Sequence, residues 1–126
     1  AVCPEDYRPA ADVLDYARKF HGKFQLCTDP KEGAVGADVL FTDVWTSMGE
    51  EAETEKRRKA FRGYQINEEV LALANPGCMV QHCLPAHRGE EITAEVFEAH
   101  AAEIFEEAEN RLHAQKAVMA ILMGGK

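Results

Sequence analysis

No run in the 126 residues approaches the roughly 18 to 20 consecutive apolar residues of a membrane-spanning helix. No basic-then-apolar leader pattern opens the chain either. A cluster of Lys and Arg standing clear of acids is also missing. With 14 basic residues against 22 acidic ones, the net charge is −8. A polyanionic partner needs a positive surface field, so nucleic acid and anionic membrane are excluded as partners. The cysteines are Cys3, Cys27, Cys78 and Cys83, with no CxxC pair among them. Most fall in expected strands or at strand ends, the pattern of reduced, buried thiols in a cytoplasmic protein rather than of a disulfide framework. Internal repeats and low-complexity segments are absent too. What is present is a 46% hydrophobic composition, enough to build a single packed core. The first residues, Ala1-Val2-Cys3, read as a strand already under way, which suggests a piece of something longer.

Periodicity expects strands at 1–3, 24–27, 37–42 and 78–82, and an extended piece over 103–107. Helices are expected at 10–20, 50–62, 68–74, 94–100 and 109–123, with a short helix or turn at 31–36. Asn67 and Thr93 are placed to cap the helices that follow them. Within 50–62 the acids come first and the bases last, and Glu53 with Arg57 and Glu55 with Lys59 stand in the favourable i,i+4 order. That charged segment reads as a solvated face. Alternation of strands and helices gives an α/β fold with a mainly parallel sheet and helices on both faces.

Three stretches carry chemistry. In Val80-Gln81-His82-Cys83-Leu84-Pro85-Ala86-His87-Arg88-Gly89, a buried strand stops at a thiol and runs into a proline corner. The Leu84-Pro85 bond is a candidate for the cis form. Ligands of open α/β sheets bind at the carboxyl ends of the strands. The bland alternative is a structural cysteine before a turn. In Asp43-Val44-Trp45-Thr46-Ser47-Met48-Gly49, a strand again ends at a carboxylate, and a hydroxyl and a glycine follow. Asp43 suits an ammonium; Ser47 with nearby backbone N–H groups suits a carboxylate, so the stretch could read both ends of an α-amino acid. Ser47 with Glu50 also fits a helix capping box. In Glu109-Asn110-Arg111-Leu112-His113, an Arg at the expected start of a helix runs against the helix dipole. A surface pairing of Arg111 with Glu107 or Glu109 is the plain alternative.

In this order and spacing, Asp-Val-Trp-Thr-Ser-Met-Gly, His-Cys-Leu-Pro and Glu-Asn-Arg resemble the C-terminal half of ornithine carbamoyltransferases. Arg57-Arg58-Lys59-Ala60-Phe61 and Leu112-His113-Ala114-Gln115-Lys116-Ala117 extend the likeness over nearly the whole chain. The resemblance implies that Asp43, Ser47 and Met48 bind the amino-acid end of L-ornithine, and that Cys83 lies by its nucleophilic amine. The Cys83 and Leu84 carbonyls would hold the carbamoyl amide, and Arg111 the carbamoyl oxygen. Asp43, Cys83 and Arg111 are thus the implied catalytic set, with no metal and no cofactor. The family's Ser-x-Arg-Thr phosphate loop has no counterpart here. Nor has the Asn-bearing first strand.

The expectation is therefore that residues 1–126 form an ornithine-binding domain, incomplete at its N-terminus and without its carbamoyl-phosphate domain. The parent enzyme would make L-citrulline and phosphate in arginine biosynthesis or urea-cycle chemistry, while the chain alone would be inactive. The family is homotrimeric; the isolated chain is expected to be monomeric or weakly associated. Rival readings are a sister transcarbamylase using putrescine or an acylated ornithine, a metal-binding module of Cys78, His82, Cys83 and His87, and a non-catalytic interaction domain.

Overall fold

A computed structural model describes the chain except Met48, Glu50, Gly125, Lys126 and the side chain of Glu51. Its frame is a parallel pair of strands, β1 (Val39–Thr42) and β2 (Met79–His82), in register from Val39 opposite Met79 to Thr42 opposite His82. Around them lie α1 (Ala11–Arg18), α2 (Pro30–Ala34), α3 (Thr54–Ala60), α4 (Glu68–Leu71), α5 (Ala94–Ala99) and α6 (Ala101–Met123). The α/β reading with a parallel sheet and helices holds.

Alternation sorts the strand residues. Val80 and His82 point into the protein and are fully buried. Val80 packs with Ile66, Ile92, Val96, Phe97 and Ile104, and Leu40 joins from β1. On the opposite face Val39, Phe41 and Met79 are 42%, 56% and 43% exposed. Caps set the helix starts: Asn67 accepts the N–H of Val70 at 3.0 Å and Thr93 that of Val96 at 3.3 Å, as expected. Asp29 does the same for α2 through Lys31 N–H at 2.8 Å.

Several expectations need correction. The segments at 1–3 and 24–27 shrink to a parallel bridge, Val2 with Cys27, held by Cys3 N–H to Cys27 O and Cys27 N–H to Ala1 O. Pro4 has no N–H to extend that ladder, and the partner segment turns into the Asp29 cap. Residues 103–107 are helical, not extended. Ala101, Ile104 and Ala108 repeat at helical spacing, and α6 runs unbroken from Ala101 to Met123. Within α6, Leu112 is 58% and Ile121 78% exposed.

The segment 50–62 is broken into a 3-10 turn, Glu51–Glu53, and α3. It is not wholly solvated either. Arg57 pairs with Glu53 at 3.2 Å, donates to the Trp45 carbonyl at 3.2 Å and lies over the Tyr7 ring. Glu55 bonds Arg58 at 3.2 Å, so the expected pairing with Lys59 gives way to one three residues along. No described helix is long and apolar enough to cross a membrane.

Candidate functional site

The register fixes the first two site residues. Thr42 lies opposite His82 in a parallel pair, so the next residues, Asp43 and Cys83, emerge side by side at the carboxyl edge. They line a cleft of about 470 Å³ together with Ser47, Arg58, Leu84 and Arg111. The structure thus gathers Asp43, Ser47, Cys83, Leu84 and Arg111 in one place, although they come from three stretches far apart in sequence. Met48 and the Glu50 half of the expected capping box lie outside the described residues.

The segment after β1 is anchored by aromatic packing. Trp45 stacks on Phe61, its indole N–H donates to Tyr64 O at 3.2 Å, and Phe61 makes edge contacts with Tyr7 and Tyr64. This leaves Asp43 and Ser47 exposed toward the cleft. One Asp43 oxygen accepts the Val44 N–H at 2.7 Å.

After β2 the chain turns sharply. The Leu84-Pro85 peptide is cis, as expected, and Leu84 itself has φ 57°. That left-handed backbone is unusual for a side chain branched like leucine's. The Leu84 N–H donates to His82 Nδ1 at 2.9 Å, and His82 Nε2 lies 3.0 Å from Glu91 Oε1. The same Glu91 oxygen accepts His87 N–H at 2.6 Å. Gln65 ties down the outer loop through the Gly89 and Glu90 carbonyls at 2.9 and 2.7 Å.

Burial raises the Cys83 thiol above its ordinary pKa, and a hydrogen bond to Asp43 raises it further. The thiol is therefore a proton donor to a carboxylate, not a thiolate nucleophile. Both His82 nitrogens are engaged elsewhere, so His82 is not a base for Cys83.

Arg111 sits well inside α6, because the helix begins at Ala101. The helix-dipole argument for its position falls away. The plain alternative of an acidic partner falls too: Glu109 holds His113 at 3.0 Å, and among the described residues Glu107 Oε2 is buried without a partner. Arg58 and Glu90 were not expected here. Arg58 donates to Glu90 Oε1 at 3.0 and 2.6 Å from two nitrogens, and this bonding raises its pKa. The run of charges in 50–62 hid it, since nothing local separates a cleft-facing Arg from solvated neighbours.

The residues Cys78, His82, Cys83 and His87 do not assemble as a metal site. Cys78 is buried at the far end of β2, its sulfur directed at Met79 O at 3.4 Å. Asp43, His82 and Cys83 bring potential ligand atoms within 4.8 Å of one another, as do His87, Glu90 and Glu91. The ring nitrogens of His82 and the carboxylate of Glu90 are already bonded.

Residues 1–122 match the family model described as aspartate/ornithine carbamoyltransferase, Asp/Orn binding domain. The chain is 55% identical over 122 residues to an ornithine carbamoyltransferase of Methanosarcina mazei, covering 97% of this chain and 40% of that protein. Among solved structures, the ornithine carbamoyltransferase from Pyrococcus furiosus superposes with TM-score 0.85 at 49% identity, over 98% of this chain and 41% of the other. The anabolic ornithine carbamoyltransferase from Campylobacter jejuni gives 0.89 at 38%, over 99% and 43%. An acetylornithine transcarbamylase complexed with acetylcitrulline gives 0.77 at 31%, over 97% and 39%. The chain therefore spans about 40% of the length of the relatives it matches. A parallel strand pair ending in Asp43 and Cys83, and a sequence match over nearly its whole length, place this chain in the aspartate/ornithine carbamoyltransferase family, as its Asp/Orn-binding domain.

Proposed function

We propose that residues 1–126 are the ornithine-binding part of an enzyme that transfers the carbamoyl group of carbamoyl phosphate to L-ornithine, giving L-citrulline and phosphate. The supporting observation is the cleft that joins Asp43, Ser47, Cys83, Leu84 and Arg111. Asp43 binds the α-ammonium of ornithine, and Ser47, with Met48, its carboxylate. The δ-amine then lies against Cys83. Because the thiol keeps its proton, no thiolate is there to stabilise the amine as ammonium, and the neutral amine is the attacking form. The Cys83 and Leu84 carbonyls accept from the carbamoyl NH2. Arg111, which has no ion-pair partner among the described residues, stabilises the oxyanion as the tetrahedral carbon forms. Catalysis is positioning plus charge stabilisation, completed by a carbamoyl-phosphate domain outside this chain. In this reading the complete protein is a cytoplasmic homotrimer serving arginine synthesis, and the isolated chain is monomeric or weakly associated.

The relative that carries acetylcitrulline makes N-acetyl-L-ornithine the rival substrate. The complete protein, assayed with carbamoyl phosphate and L-ornithine, N-acetyl-L-ornithine or putrescine in turn, distinguishes them. The proposal expects kcat/KM highest for L-ornithine; a preference for either of the others overturns it.

A further inference from the structure

We infer that Arg58 and Glu90 are positioning residues: their ion pair braces the two walls of the cleft and sets its width for the amino-acid substrate. The inference rests on the proposed function for its kinetic consequences, while the brace itself is a matter of geometry. Two segments far apart in sequence make those walls, 43–58 on one side and 83–90 on the other. Asp43 and Cys83 meet at the floor, where the strands end. Arg58 and Glu90 both line the cleft, 32 positions apart, and join its walls a second time.

All three guanidinium nitrogens of Arg58 are engaged. Nε and Nη2 donate to Glu90 Oε1 at 3.0 and 2.6 Å, and Nη1 donates to Glu55 Oε1 at 3.2 Å. A planar guanidinium held from both sides has a fixed direction, which a lysine ammonium would lack. Each end is itself anchored. Arg57, about 100° further round α3, grips Glu53 and the Trp45 carbonyl and lies over the Tyr7 ring. Glu90 donates its N–H to the His87 carbonyl at 2.9 Å, and its own carbonyl accepts from the Gln65 amide at 2.7 Å. Ser47 stands in the chain between Trp45 and α3, so its distance from the Leu84 turn follows from where α3 is held. The Arg58 and Glu90 side chains are 49% and 24% exposed, and a pair so open to water adds little to stability. With its nitrogens bonded to carboxylates, Arg58 is not a receptor for a substrate anion either. Its place on the cleft is explained by the spacing it keeps.

The test is a double-mutant cycle in the complete protein: Arg58→Met, Glu90→Met and both together. Each single variant should raise KM for L-ornithine about five- to twentyfold and leave kcat within about threefold, as a loss of uniform binding does. KM for carbamoyl phosphate should stay within about twofold, and the melting temperature within about 3 °C. The double variant should be no worse than the poorer single one. Arg58→Lys is the mildest change; it keeps the charge and loses the fork, and should by itself raise KM for L-ornithine about two- to fivefold. Unchanged KM in any folded variant, additive effects in the cycle, or equal changes in the two KM values overturn the inference. Amide hydrogen exchange over residues 54–60 should be faster in Glu90→Met than in the parent protein; equal exchange also overturns it. If the parent protein makes no citrulline, the proposed function fails while the exchange still decides the brace.

Discussion

Cys83 shows how two neighbours decide what a thiol does. Burial is the larger cause of its raised pKa, and the Asp43 carboxylate is the next. A pKa raised by folding means that the fold favours the protonated form. That contribution is complete below the unfolded value, near the ordinary 9.0, and is lost as pH rises through the higher folded value. Alkylation of Cys83 by iodoacetamide at pH 8 should therefore be slower than that of free cysteine, and Asp43→Asn should speed it; mass spectrometry of the 79–88 region reads both. Equal or faster reaction of the parent protein would contradict this environment. Cys83→Ser should lower kcat/KM for L-ornithine in the complete protein by one to several factors of ten, each worth about 1.4 kcal/mol. Carbamoyl-phosphate binding should change less.

Among the elements, α6 binds the sheet through a polar contact as well as through Ile104. Glu103 Oε2 accepts Val80 N–H at 2.9 Å, on the side of β2 away from β1, and lies 3.2 Å from His100 Nδ1. Glu103→Ala leaves that N–H unpartnered and should cost about 1–3 kcal/mol in urea unfolding. Glu106→Ala, at an exposed position of the same helix, should stay within about 0.5 kcal/mol. Similar values for both would show that the contact contributes nothing. Ile104→Ala, at a fully buried position, should cost about 2–5 kcal/mol. These elements also mark what a sequence discloses. The Asn67 and Thr93 caps, the β1 and β2 strands and the proline corner were legible because each has a local cause in a side chain or a ring. Residues 103–107 were misread because Ile104 and Phe105 suit a strand locally, whereas the helical repeat of Ala101, Ile104 and Ala108 shows only over the longer segment that packs on β2 and α5. The ends of the Val2 and Cys27 segments depend on tertiary pairing, which no local pattern states. Asp43, Cys83 and Arg111 were found by motif, whereas the Arg58–Glu90 pair spans 32 positions and has no short signature.

At the scale of the whole molecule, the cleft is supplied with groups for an amino acid and few for a phosphate. Of its lining cations, Arg58 is bonded to Glu90 and Glu55, which leaves Arg111 in a chain of net charge −8. A carbamoyl phosphate dianion needs several convergent donors, and no Ser-x-Arg-Thr loop is present in these residues. Both substrates must also be held in one dry site for transfer to occur. On the proposed function, this cleft is the ornithine half of a divided active site. Citrulline formation, measured for the 126-residue chain alone and for the complete protein under the same conditions, tests it most directly. A divided site gives none from the chain alone, and turnover of roughly 1 per second or more from the complete protein. Turnover at that rate by the chain alone, or none by the complete protein, would contradict it.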